Sequence, residues 1–231
     1  MGDDTVRVKP QYLARARSER GELVLRRRPH DGAIELRVNG VFVMDTAETT
    51  SERLLASSAL AACRTQPSEG LDVLVGGLGL GFTLSELLAD ARVARVVVAE
   101  IEPEVLRWHR DGLVAVNRPA LVDPRVQIRI ADVRQVLASM PGQSLDLVLL
   151  DVDNGPDFLV YDSNADLYGS SFLRTCRAVL APGGLTAIWS ASRSEPLAER
   201  MAEVFDAVQC QRIQVRPGER DEEYFLYLGR G

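Results

Sequence analysis

The chain has 231 residues, a formal net charge of −6, 46% hydrophobic and 26% charged residues. That composition excludes wholesale disorder, collagen-like repeats and coiled coil, and no apolar run reaches the roughly 20 residues of a membrane helix. A sequence pI near 5.1 argues against wrapping nucleic acid, and no membrane or nucleic-acid partner is expected. Three cysteines, Cys63, Cys176 and Cys210, are widely spaced with no CxxC, and read as reduced thiols of a cytoplasmic protein. Met1 to Arg7 opens on acids and lacks the apolar core of a signal peptide, which fits the same compartment.

In chain order, Glu22–Arg26 and Ile34–Val38 alternate apolar and polar residues, the pattern of half-buried strands, with a turn signal at Pro29–Gly32 between them. Asn39-Gly40 before Val41–Met44 is a two-residue hairpin cue. Residues 1–45 are therefore expected to form a small antiparallel β-unit, and residues 46–231 the main domain. The run Arg26–Arg28 is read as a solvated, protective edge. Helical spacing of Leu54, Leu55, Ala59 and Leu60 predicts a helix over Thr46–Cys63.

From Leu71 onward short apolar strands alternate with helices. Strands are predicted at Asp72–Val75, Arg95–Ala99, Val126–Ile130, Leu145–Leu150 and Leu185–Ser190. Helices are predicted at Thr83–Asp90, Pro103–Arg110, Val133–Ser139, Ser170–Leu180 and Glu195–Val204. Two further strands, Gln209–Val215 and Tyr224–Leu228, flank an expected exposed loop, Arg216–Glu223. The alternation predicts a doubly wound, mostly parallel α/β sheet covered on both faces.

The candidate site lies where strands end. Gly76-Gly-Leu-Gly-Leu-Gly81 follows the first core strand and opens a helix. Gly77, Gly79 and Gly81 allow a tight turn and close approach of backbone to a ligand. Glu100 ends the second strand, where a carboxylate can accept both hydroxyls of a ribose. Asp132 follows the third strand and Asp151 the fourth. This set suits a dinucleotide or S-adenosylmethionine (SAM), and the acid at Asp132 favours SAM. The long stretch Asp151–Tyr168 carries Asp151, Asp153, Asp157, Asp162 and Asp166 interleaved with Phe158, Tyr161 and Tyr168, and reads as a lid or binding loop for an amine-bearing substrate, with Asp151 and Asp153 functional and Asp157, Asp162 and Asp166 solvated. His30 and His109 lack metal-ligand spacing, so no metal is expected. Without GxSxG or a Cys/His pair a hydrolase is disfavoured. Trp189 reads as core or pocket wall, and Tyr224 and Tyr227 as structural.

On these residues the chain resembles the spermidine synthase (aminopropyltransferase) family within the class I SAM-dependent methyltransferase fold. The resemblance is carried by Val38–Val41, the glycine loop, Glu100-Ile-Glu-Pro-Glu104, Asp123-Pro-Arg-Val126, Asp132, Asp151 and Leu180-Ala-Pro-Gly-Gly184. It implies a seven-stranded Rossmann-like nucleoside-binding domain, a small N-terminal β-domain, and a homodimer. It further implies that Gly77, Gly79, Gly81, Glu100, Ile101, Asp132, Val133 and Asp151 bind the nucleoside cosubstrate. Asp151 would accept the proton of the attacking amine, aided by Asp153 or Tyr161.

Three departures shape the functional expectation. The family loop GGGDGG is Gly76–Gly81 here, and its aspartate, which holds the cationic amine of decarboxylated SAM, falls on Gly79. The family's Tyr-Gln or Tyr-His falls near Thr50-Ser51. Its Asp-Ser-Ser/Thr-Asp-Pro becomes Asp151–Pro156. Loss of the loop acid makes the leading expectation methyl transfer from SAM to a small amine-bearing substrate. The alternative is aminopropyl transfer from decarboxylated SAM, and a second alternative is a non-catalytic nucleoside-binding or dimerisation module. What lies opposite Gly79 separates the first two: a neutral or basic pocket fits the carboxylate of SAM, an acidic one fits the decarboxylated donor.

Overall fold

The computed structural model describes residues 9–65, 70–215 and 221–231. Four N-terminal strands, β1 (Gln11–Ser18), β2 (Gly21–Arg27), β3 (Ile34–Val38) and β4 (Val41–Asp45), form an antiparallel sheet in the order β1-β2-β3-β4. Asn39 and Gly40 both take positive φ, 52° and 79°, as the tight β3–β4 hairpin requires. Strand β1 was not anticipated. Its Ala-Arg-Ala-Arg alternation is carried by alanines, which favour strands weakly, yet Leu13, Ala14 and Ala16 pack on the core. Because β1 pairs with β2, the run Arg26–Arg28 is not an edge: Arg26 Nε binds Glu35 Oε2 at 2.5 Å and Arg28 Nη1 binds Asp45 Oδ2 at 2.7 Å.

Helix α1 (Thr50–Ala62) occupies the later part of the stretch Thr46–Cys63, and Thr46–Thr49 precede it. The carboxylate of Asp45 accepts the N–H groups of Ala47 and Glu48 and holds that stretch in a turn. Then follow β5 (Leu71–Gly76), α2 (Phe82–Ala89), β6 (Val93–Glu100), α3 (Pro103–Arg110), α4 (Arg118–Leu121), β7 (Val126–Ile130), α5 (Val133–Ala138), β8 (Leu145–Leu150), α6 (Ser170–Val179), β9 (Leu180–Ser190), α7 (Glu195–Val204), β10 (Ala207–Val215) and β11 (Glu222–Arg230). Short 3-10 turns occupy Ala115–Asn117 and Asp162–Tyr168. Of the loop expected at Arg216–Glu223, residues 216–220 lie outside the described residues, and Glu222 and Glu223 already belong to β11. The expected turn Leu180–Gly184 lies inside β9. The ladder jumps from Leu145↔Leu180 to Leu147↔Leu185, so the turn survives as a bulge.

The second sheet runs β10-β11-β9-β8-β5-β6-β7, parallel from β9 to β7 and closed by antiparallel β11 and β10. Its strands are apolar on both faces. Val73, Val75, Val96, Val98, Leu147 and Leu149 join a core with α1, α2, α3 and the N-terminal sheet. The alternate residues Leu74, Val97, Val148 and Leu150 pack with α5, α6 and α7. Each fully buried leucine or valine contributes roughly 1.5–3 kcal/mol. The N-terminal sheet thus shares one core with the main domain, through Leu23, Leu25, Leu36 and Met44. This packing fixes the N-terminal sheet above the ends of β5, β6 and β8. No helix among the described residues is long and apolar enough to cross a membrane.

Candidate active site

Between β5 and β8 the sheet order reverses direction, and open α/β sheets hold ligands outside the C-terminal ends of strands at such a point. The glycine loop leaves β5 there and Asp151 leaves β8; Asp151 N donates to Gly76 O at 2.9 Å. Gly77 has φ +91°, and a Cβ on it would collide with the backbone carbonyl of Asp151. Gly79 has φ +49°, and its Cβ would come within 2.6 Å of Met44 Sδ. Met44, from the N-terminal sheet, therefore occupies the space beside Gly79, with its sulfur 3.0 Å from Leu80 N. From below, His109 Nε2 donates to Gly79 O at 2.9 Å and Asn117 Nδ2 to Leu80 O. Burial pushes the His109 pKa down and keeps the ring neutral.

A cavity opens over this loop. Its lining includes Gly77, Gly79, Glu100, Ile101, Asp132, Val133, Asp151, Asp153 and Tyr161. Nine of the ten expected residues thus converge. Gly81 does not line it: it is the N-cap of α2, and a Cβ there would meet Asn117 and His109.

At one end of the cavity the acids are partnered. Glu100, buried, accepts from Leu78 N at 2.9 Å and from Glu102 N at 2.7 Å. Burial still raises its pKa against those bonds. Glu102 Oε1 accepts from Arg20 Nε at 2.7 Å, Ser18 Oγ at 3.1 Å and Tyr161 OH at 3.2 Å. The β1–β2 turn, the strand end and the lid therefore meet on one carboxylate. Asp132 caps α5 by accepting from Arg134 N at 2.8 Å and is bridged by Arg134 Nη2 at 2.6 Å. Burial raises its pKa, but the Arg134 bonds and charge outweigh this and hold it below the ordinary range.

At the other end the acids have no cation. Asp151 Oδ2 accepts from Thr83 Oγ1 at 2.9 Å, and desolvation raises its pKa to about 6 against that bond. Glu52, in the first turn of α1, is 6% exposed; its Oε2 accepts from Ser51 Oγ at 2.7 Å. Desolvation first, and the charge of Asp151 second, push its pKa to about 7. Thr83 Oγ1 also lies 3.3 Å from the carbonyl of Glu52, which ties the two acids' elements together. Asp153, although in the lining, is engaged by the lid: its carboxylate accepts from Asn154 N, Val160 N and Asn164 Nδ2. Burial raises the pKa of Tyr161, so its phenol stays protonated and donates to Glu102.

Among the described residues no lysine, arginine or histidine lines this cavity, whereas six acids do: Glu52, Glu100, Glu102, Asp132, Asp151 and Asp153. Sequence reasoning missed Glu52, Met44 and Glu102. Glu52 reads in sequence as an ordinary first-turn helix acid, and the only signal was its position directly after Thr50-Ser51, near which the family's Tyr-Gln or Tyr-His falls. A second, outer cavity shares Val43, Met44, Glu52, Asn154 and Trp189 with the first and continues to Phe42, Phe158 and Tyr224.

Comparison with known proteins agrees with this architecture. The family profile described as "Spermine/spermidine synthase domain" matches residues 48–209. Polyamine aminopropyltransferase 2 of Pseudomonas aeruginosa is 31% identical over 196 residues, covering 80% of this chain and 51% of that protein. The polyamine aminopropyltransferase of Nitrosomonas europaea is 33% identical over 138 residues, 58% of this chain and 40% of that one. The chain therefore spans about half the length, or less, of these curated relatives. Among solved structures, spermidine synthase in complex with the transition-state analogue AdoDATO superposes with a TM-score of 0.81, at 17% identity, over 95% of this chain and 73% of that chain. At that identity the likeness concerns the fold. These matches overturn the leading expectation of methyl transfer: the family and the curated relatives are aminopropyltransferases. The geometry supplies the reason. Gly79 removes an acid from the loop and Met44 fills the space beside it, but the cavity as a whole is lined by six acids and, among the described residues, by no cation.

Proposed function

The chain belongs to the spermine/spermidine synthase family, and on that premise we propose that it transfers an aminopropyl group from decarboxylated S-adenosylmethionine to an amine. The observation that carries this reading is the acidic, cation-free end of the cavity, where Glu52 and Asp151 are desolvated without a counter-ion. An isolated buried carboxylate is costly, and a cationic ligand offsets that cost. The carboxylate of intact SAM would add a further negative charge there.

In this reading the nucleoside lies over the glycine loop, with Glu100 toward the ribose and Asp132 toward the adenine, flanked by Ile101 and Val133. The amine nitrogen attacks the aminopropyl carbon bonded to sulfur. The N–C bond forms as the C–S bond breaks, methylthioadenosine leaves, and the nitrogen sheds one proton. Asp151, with a pKa near 6, is ionised at neutral pH and takes that proton. Most of the rate gain comes from holding the two reactants in line. Asp153 acts by fixing the lid and Tyr161 by fixing Glu102.

The test incubates the protein with decarboxylated SAM and separately with a linear diamine and a linear triamine, and measures methylthioadenosine and the extended amine by mass spectrometry. Both products are expected in equal amount. Nucleoside binding without either product from any amine would overturn the reading.

A further inference from the structure

A loop that approaches a ligand only through glycine backbone cannot by itself recognise a charged end group. Beside Gly79 the space a side chain would need is filled by Met44 Sδ. The charge facing this part of the cavity comes instead from another element. Glu52 projects from the first turn of α1, is nearly fully buried, lines the same cavity as Gly77 and Gly79, and has no ion-pair partner among the described residues. Its hydrogen-bond partners, Ser51 Oγ and its own backbone N–H, carry no full charge and leave it without a counter-ion. The nearest lining acid on the strand side, Asp151, is bonded only to a hydroxyl, Thr83 Oγ1. The cations at the cavity's other end are already committed: Arg20 to Glu102 and Arg134 to Asp132.

We infer that Glu52 determines donor specificity: it binds the ammonium of the donor's aminopropyl arm and, with Asp151, excludes donors that carry a carboxylate at that end. This deepens the aminopropyl-transfer reading and rests on it. The arrangement moves charge recognition from the loop to α1. Met44 is the packing counterpart of that move, because it fills the space beside Gly79. Glu52 also lines the outer cavity, so it stands where the donor's arm and an incoming amine would meet.

The experiment is a calorimetric titration of the whole chain with decarboxylated SAM, intact SAM and methylthioadenosine, in the wild type, Glu52→Gln and Glu52→Asp. Gln keeps the shape and the Ser51 hydrogen bond while removing the charge. The wild type is expected to favour decarboxylated over intact SAM. In Glu52→Gln that preference should shrink about ten- to a hundredfold, the range for one charge-assisted bond in a buried site. Methylthioadenosine, which lacks the charged arm, should bind all variants within about twofold and so reports correct folding. Glu52→Asp, which retracts the charge by one methylene, should lose a smaller part of the preference; if the Gln variant does not bind methylthioadenosine, Asp is the variant to read. An undiminished preference in a variant that still binds methylthioadenosine overturns the role of Glu52 and leaves aminopropyl transfer standing. A wild type that favours intact SAM overturns aminopropyl transfer itself, and the role of Glu52 with it.

Discussion

The two ends of the central cavity hold the same kind of side chain in opposite electrostatic settings. At the end formed by β6 and β7, Glu100, Glu102 and Asp132 are met by backbone N–H groups and by Arg20 and Arg134. At the end formed by α1 and β8, Glu52 meets the Ser51 hydroxyl and its own backbone N–H and Asp151 the Thr83 hydroxyl, with no cation among the described residues. The first set is pre-organised to present oriented acceptors to a neutral, hydroxyl-rich ligand. In the second, burial without a counter-ion raises both carboxyl pKa values, so these groups are partly protonated in the free protein and a bound cation would favour their ionised forms. In the proposed function, one cavity would sort a ligand with a neutral nucleoside at one end and a cationic arm at the other.

The largest effect is expected from breaking the charged end at its chemical centre. Asp151→Asn should lower turnover by a factor on the order of 10³ or more, within the range for loss of a positioned base and its electrostatic contribution. Methylthioadenosine should still bind within a few-fold. Rapid-quench turnover beside calorimetry checks this, and unchanged turnover would remove Asp151 from the mechanism. Next comes the backbone between the two ends. Gly77→Ala forces a Cβ into the Asp151 carbonyl at positive φ. It should cost at least about 1–2 kcal/mol in stability from the left-handed backbone alone and weaken methylthioadenosine and decarboxylated SAM alike. A selective loss of one ligand would show that the loop, and not the acids, reads the arm.

The ends should also differ in how they titrate. Glu52 and Asp151 have folded pKa values above their ordinary ones, about 7 against 4.5 and about 6 against 3.8. Between those limits the folded protein binds more protons than the unfolded chain, so stability falls as pH rises through about 4 to 7. The slope is at most about 1.4 kcal/mol per pH unit for each group. Neighbouring Glu48 adds to the rise at Glu52, and the Ser51 hydrogen bond opposes it. A cation seated there would favour the ionised forms, so decarboxylated SAM binding near pH 6.5 should release up to about one proton. Methylthioadenosine should release none. Titration in buffers of different ionisation enthalpy reads this directly, and equal proton release by both ligands would contradict the division of the cavity.

The acids at the strand ends, at both ends of the cavity, were legible in the sequence, because a parallel strand announces its own C-terminal end. Glu100, Asp132 and Asp151 each follow a short apolar run, and the sheet topology brings such ends together whatever the loops do. The α1 side was not legible. A glutamate in a first helical turn is usually a solvated complement to the helix dipole, and nothing local says that Thr83 and Met44 will bury it. The same blindness produced the methyl-transfer expectation: the missing acid at Gly79 was visible, whereas its spatial counterpart on another element was not. Strand β1 was hidden for a different reason, since alanine and arginine alternate without the branched or aromatic residues that mark a strand.

The smallest effect expected lies at the partnered end. Glu102 is almost wholly buried, with Oε2 unpaired and Oε1 shared by Arg20, Ser18 and Tyr161. Arg20→Gln removes the one full charge facing it, while Ser18 and Tyr161 still donate. Arg20 is more than a third exposed, so water screens much of its charge. The expected cost is about 1 kcal/mol in stability, toward the low end for a broken charge-assisted bond, with a few-fold weaker binding of methylthioadenosine. Preference between decarboxylated and intact SAM should not move, because Arg20 faces the nucleoside end. If Arg20→Gln altered that preference as strongly as Glu52→Gln, the two ends would be electrostatically one site, and the sorting of charge along the cavity would have to be abandoned.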